Sequence, residues 1–138
     1  MEKHSVSTVF EAGRAFTSSI NQHKLLTDAG IADGGNDAGP GPKRLMLVAL
    51  AGCTGIDIVS ILTKMKVLFA DLSIDTEATL TEASPKIYNH VDVTYKIKLS
   101  VAEQVKMEKA VALSADKHCG VMAMFKTFAK VETHIVYL

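Results

Sequence analysis

Three observations predict an α+β fold. Short alternating runs come first, a long apolar segment follows, and two long alternating runs then lead to a second helical stretch. The order reads strands, helix, strands, helices, strand, with no internal repeat. At 138 residues the chain fits a single domain, residues 1–138, large enough to bury a core.

The leading strands are short. Val6, Thr8 and Phe10 alternate with Ser7 and Val9, and Phe16, Ser18 and Ile20 alternate after a turn at Ala12-Gly13-Arg14. A third piece, Lys24 to Thr27, follows Asn21-Gln22. Residues 28–42 hold five glycines and two prolines, a composition expected to exclude regular structure and to leave a flexible surface connection.

From Lys43 to about Phe69 the pattern changes. Asp57 is the only charge between Arg44 and Lys64, and Pro42 stands where a first helical residue tolerates its missing N–H. A membrane span is disfavoured because Asp57 at mid-helix would cost about 2.5–3.5 kcal/mol on insertion, and Gly52, Thr54, Gly55 and Ser60 dilute the apolar run. A helix apolar on every side must instead be surrounded by protein. One sheet covers one side, so the other side calls for a second subunit, with Gly52 and Gly55 allowing close approach. An obligate homodimer is expected.

The clearest strands follow. Leu72, Ile74, Thr76, Ala78 and Leu80 alternate with polar residues, as do Ile87, Val91, Val93, Tyr95, Ile97 and Leu99 beyond the Ser84-Pro85 turn. Such alternation predicts an antiparallel sheet covered on one face. Ser100-Val101-Ala102-Glu103 has the form of a capping box opening a second helix. Val105, Ala112 and Cys119, spaced by seven, are its expected buried stripe, and Gly120 is placed to end or bend it. Val121 to Phe128 reads as a short apolar helix, and Val131, Ile135 and Tyr137 as a last strand.

Several functions are excluded at this level. Fifteen basic residues balance fifteen acidic ones, without the positive excess that nucleic-acid binding needs. The opening Met1-Glu2-Lys3-His4 does not resemble a secretory leader, and two cysteines are too few for a disulfide scaffold, so a cytoplasmic chain with free thiols is expected. Gly34 and Gly39 have phosphate-loop spacing, but Pro40 stands where the lysine should be. The acids of residues 28–37 miss calcium-loop positions. No metal site is expected: the five histidines form no H-x-x-x-H pair, and His90 and His134 fall on the polar sides of strands.

Cys53 and Cys119 remain. Either could be a small buried hydrophobe. Cys53, however, lies in Ala51-Gly52-Cys53-Thr54-Gly55, and Cys119 in Lys117-His118-Cys119-Gly120, where small neighbours leave room beside sulfur. Apolar surroundings raise a thiol's pKa, so a reactive Cys53 requires a nearby cation.

The stretch Gly41-Pro42-x-x-Leu45 through Ala49-Leu50-Ala51-Gly52-Cys53-Thr54-Gly55-Ile56-Asp57-Ile58-Val59-Ser60-Ile61-Leu62, followed by Leu113-Ser114-Ala115-Asp116-Lys117-His118-Cys119-Gly120-Val121, resembles the family of osmotically inducible and organic hydroperoxide resistance (OsmC/Ohr) proteins. The resemblance spans nearly the whole chain. It implies an OsmC-like fold, with antiparallel sheets around a long buried central helix in an intertwined homodimer. It also implies a peroxidatic Cys53, a resolving Cys119, and Arg14 as the arginine that supports the thiolate. No bound cofactor is implied; an external dithiol, a lipoyl-bearing protein among the candidates, would reduce the disulfide. The family glutamate after the helix-opening proline is replaced here by Lys43 and Arg44. The expected activity is reduction of organic hydroperoxides. The alternative is a non-catalytic dimer binding a small apolar ligand at the subunit interface.

Overall fold

The protein is described by a computed structural model covering Met1–Leu138. It comprises two compact units, Met1–Met46 and Leu47–Leu138. In the first, β1 (Ser7–Ala12), β2 (Ala15–Ile20) and β3 (His23–Thr27) form an antiparallel sheet in that order. Gly13 turns the first hairpin with φ 57°, a conformation in which glycine carries no Cβ penalty. Phe10 and Phe16 pair across β1 and β2 with ring centroids 5.6 Å apart in an edge arrangement. None of this unit's apolar side chains is buried.

The glycine-rich connection after β3 is organised, contrary to the expectation of a flexible link. Asp28 is buried, and its carboxylate accepts N–H bonds from Ala29 at 2.7 Å and from Asn36 and Ala38 at 3.1 Å. The Asp28 N–H donates to the Pro40 carbonyl at 3.3 Å, closing the loop on itself. The Ala38 bond foremost holds the Asp28 carboxyl below its ordinary pKa, against the opposing effect of burial. Gly35 and Gly39 pass so close to the Ala29 and Leu26 carbonyls that a Cβ at either would collide with backbone. The glycines that forbid helix and strand here permit this tight wrap, with one short 3₁₀ turn at Ile31–Asp33.

Helix α1 (Pro42–Lys64) begins in the first unit and runs through the second, a length of about 34 Å at 1.5 Å per residue. In the second unit β4 (Ala70–Leu80), β5 (Tyr88–Lys98) and β6 (Lys130–Tyr137) form a sheet in the order β4-β5-β6. The α+β class is as expected. The pairing of β4 with β5 is antiparallel, but β6 runs parallel to β5. The reason lies in the helical segment between β5 and β6, a crossover long enough to return the chain to the same end of the sheet. Val91, Val93, Tyr95 and Ile97 point inward along β5 and meet the stripe Leu50, Ile58 and Leu62 of α1 in one core.

The crossover departs from its predicted helix. Val101–Glu103 is a 3₁₀ turn, α2 spans Gln104–Leu113, a wide turn occupies Ser114–His118, and α3 covers Gly120–Phe125. The Ser100 and Glu103 side chains make no cap bonds; Glu103 pairs with Lys106 at 3.2 Å. The buried stripe is Met107, Ala110, Val111 and Ser114, whereas Val105 and Ala112 face solvent. The spacing-of-seven stripe assumed an unbroken helix. Cys119 is buried because the helix breaks before it: Cys119 adopts φ −77°, ψ 104° between the wide turn and α3.

Candidate functional site

The break after α2 aims Cys119 back at the middle of α1. Its sulfur accepts the Met122 N–H at 3.2 Å, capping the first turn of α3, and its thiol lies close enough to the Cys53 side chain for the two to interact. The two cysteines far apart in sequence are therefore brought together, both free, Cys53 partly exposed and Cys119 buried. Burial first, then the neighbouring Cys53 side chain, push the Cys119 thiol up to about 11, with the Met122 N–H opposing and the Asp57 charge adding. Cys119 is consequently a protonated thiol at neutral pH.

Beside the thiols lies a buried polar chain, which no spacing of residues announces. The Thr54 hydroxyl is 2.7 Å from both the Tyr95 hydroxyl and the Ser114 hydroxyl, and Ser114 donates to the Asp57 carboxylate at 2.8 Å. Each hydroxyl owns one proton, so the last bond fixes the others. Ser114 must accept from Thr54, and Thr54 from Tyr95. Thr54, Tyr95 and Ser114 are fully buried, and the chain satisfies all three hydroxyls at once, as buried polar groups require. Burial raises the Tyr95 hydroxyl pKa, which keeps that group a donor. Alternation puts Tyr95 on the inner face of its strand, but no sequence signal joins its hydroxyl to those of Thr54 and Ser114.

Asp57, one turn beyond Cys53, ends this chain and also lines a cleft of about 350 Å³ with Ser60, Ile61, Lys64 and His118. His118, adjacent to Cys119 in sequence, is exposed at this cleft. Lys64 and His118 are the basic side chains lining it. Arg14 belongs to the first unit, where its guanidinium lies against Gly34, 2.9 Å from the position a Cβ there would take.

Comparison with known proteins identifies the family and the fold. The family model described as OsmC-like protein matches residues 34–134, a span containing both cysteines. Protein YhfA of Escherichia coli (strain K12) is 29% identical over 108 residues, covering 78% of each chain. A hypothetical protein from Aquifex aeolicus VF5 superposes with a TM-score of 0.81 at 26% identity, over 100% of this chain and 99% of its own. An organic hydroperoxide resistance protein OsmC from Legionella pneumophila superposes with a TM-score of 0.70 at 18% identity, over 98% of this chain and 97% of its own. The Legionella likeness speaks to fold alone.

Proposed function

The chain belongs to the OsmC-like protein family, and on that premise we propose that it is a thiol-dependent peroxidase reducing organic hydroperoxides through Cys53 and Cys119. The meeting of two free thiols, one accessible and one buried, is the observation that carries this reading. Their environments divide the roles. Cys53 is open to a substrate, whereas Cys119 is buried beside it, which assigns Cys119 to resolution; being protonated at neutral pH, it must first lose its proton.

The Cys53 thiolate attacks the distal oxygen of the hydroperoxide. The O–O bond breaks, the sulfur becomes a sulfenic acid, and the alkoxide takes up a proton and leaves as alcohol. The Cys119 thiol then gives up its proton and its sulfur attacks the Cys53 sulfur; the S–O bond breaks, and the departing hydroxide takes up a proton and leaves as water as the disulfide forms. An external dithiol supplies two electrons and two protons to restore both thiols; a lipoyl-bearing protein has the right chemistry. Arg14 is assigned to the support of the thiolate on the family resemblance.

A second copy of the chain completes this reading. Val48, Gly52, Ile56 and Val59 share the side of α1 opposite its buried stripe, and Val48 and Ile56 are 64% and 70% exposed. A Cβ on Gly52 would meet nothing within 4 Å. An apolar face of this kind is covered in a stable protein, and we assign its cover to a homodimer. Though α1 is long and apolar enough to cross a membrane, the ties of Thr54 and Asp57 to Ser114 and Tyr95 favour a core helix. Cytoplasmic residence suits thiols that must be reduced between cycles.

The test is consumption of tert-butyl hydroperoxide with dihydrolipoate as reductant. Turnover abolished by Cys53→Ser, with a dimedone-trappable sulfenic acid retained in Cys119→Ser, supports the peroxidase. Thiols untouched by stoichiometric hydroperoxide favour the non-catalytic ligand-binding dimer. That second reading draws on Cys119, where burial foremost, and the Asp57 charge in smaller part, oppose thiolate formation.

A further inference from the structure

The outer face of the second sheet carries a cluster that the thiol chemistry does not use. On β5, His90 and Asp92 are two residues apart and share the outward face; on β6, Lys130, Glu132 and His134 do the same. The parallel register sets Asp92 opposite Glu132 and His90 opposite Lys130. His90 Nε2 lies 3.2 Å from Asp92 Oδ2 and 3.2 Å from Glu132 Oε2, and these three donor atoms all fall within 4.8 Å of one another. His134 Nε2 holds the other oxygen of Asp92 at 2.8 Å. Lys130 Nζ stands 3.3 Å from the other oxygen of Glu132.

Two features of this cluster point to a cation. One imidazole nitrogen faces two carboxylate oxygens at equal distance, and a single N–H cannot align with both. Across the strands, Glu77, Asp92 and Glu132 occupy one row, and like charges placed directly opposite are destabilising. A positive ion replacing the shared proton would meet all three donors. Zinc–donor lengths of about 2.0–2.2 Å in tetrahedral geometry require donors about 3.4 Å apart, close to both 3.2 Å separations.

We propose that His90, Asp92 and Glu132 bind a divalent first-row transition metal such as Zn²⁺, with His134 as the positioning residue that orients Asp92. One nitrogen and two carboxylate oxygens form a borderline-hard donor set that suits Zn²⁺ or Mn²⁺ over a thiophilic ion. Solvent completes the coordination, because the three ligands are only half-buried. His134 and Lys130, each held to the remote oxygen of a ligating carboxylate, fix its orientation as outer partners of metal ligands do.

The test is calorimetric titration of the metal-free full-length chain with ZnCl₂ at pH 7.5. It is performed on the Cys53→Ser, Cys119→Ser double variant so that thiols take up no metal. One Zn²⁺ per chain, with affinity lost in His90→Ala and in Asp92→Asn and reduced about 10–100-fold in His134→Ala, is the expected result. In ¹⁵N spectra Zn²⁺ should move the His90 imidazole signals and leave those of His4 and His23 in place. Absence of stoichiometric binding, or binding that persists unchanged in His90→Ala and Asp92→Asn with circular dichroism intact, overturns the proposal.

Discussion

Two polar clusters share strand β5, one on each face. Inward, Tyr95 begins a chain of hydroxyls that runs through Thr54 and Ser114 to Asp57. Outward, His90 and Asp92 join Glu132 and His134. In the interior each proton has a single destination and water offers no substitute, so the geometry dictates the direction of every bond. On the outer face the same number of polar groups is held by charges that solvent, protons and cations can replace. The lesson is about cost. A buried group loses its only partner when a neighbour is removed, whereas an exposed ion pair contributes about 0–1 kcal/mol.

Substitutions that violate this division sharpen it. The largest effect is expected from Thr54→Val, which leaves the Tyr95 donor and the Ser114 acceptor unpaired in the core; urea unfolding should show a loss of about 2–4 kcal/mol. Ile56→Glu comes next. It places a charge on the open face of α1 and should yield a monomer by light scattering, whereas a retained dimer would remove the assembly proposed for that face. Tyr95→Phe removes only the first donor of the chain and should cost about 1–1.5 kcal/mol. Outside, Glu77→Gln relieves one of three carboxylates in a row and should shift stability by less than about 0.5 kcal/mol, in the stabilising direction.

The acid–base behaviour separates the two faces as well. Cys119 is raised from 9.0 to about 11 on folding, and Tyr95 is raised above 10.0. A group whose pKa rises on folding contributes stability below its unfolded pKa and loses it as pH climbs through the folded value. Melting temperature should therefore fall from about pH 9 toward pH 11. Cys119→Ala should flatten that part of the profile. In the proposed catalytic cycle the disulfide-forming step should accelerate with pH below the Cys119 pKa, because the thiolate is the attacking species. Stopped-flow measurement of the sulfenic acid decay reads that slope directly.

Much of this architecture was legible in the residues. Period-two alternation located β4 and β5, the nearly charge-free run located α1, and small residues around Cys53 and Cys119 singled out the thiols. The helix after β5 departs from its expected stripe because a spacing of seven presumes a continuous helix, and the wide turn at Ser114–His118 rotates everything beyond it. The link between Thr54, Ser114 and Tyr95 is not legible in the residues because they come from three separate elements, and only the packed core brings their hydroxyls within 2.7 Å. The outer cluster failed a helix-type spacing test although His90-x-Asp92 and Glu132-x-His134 are both strand-type pairs. What no sequence pattern supplied was the parallel register that sets them side by side.

The wrapped segment after β3 has a consequence for how this chain tolerates change. Its two ends are stitched together by Asp28, through the Ala38 N–H on one side and the Pro40 carbonyl on the other. The path between them is a nearly closed ring, so its circumference is uncoupled from the positions of β3 and α1. Residues added at the exposed Ile31–Asp33 turn would lengthen the ring without moving its clasp, and doubling such a loop costs only about 0.6 kcal/mol in closure entropy. A sequence can therefore lengthen or reshape that rim over many generations while Asp28, Gly35 and Gly39 stay fixed. The same clasp makes the rim a natural port for grafted peptides.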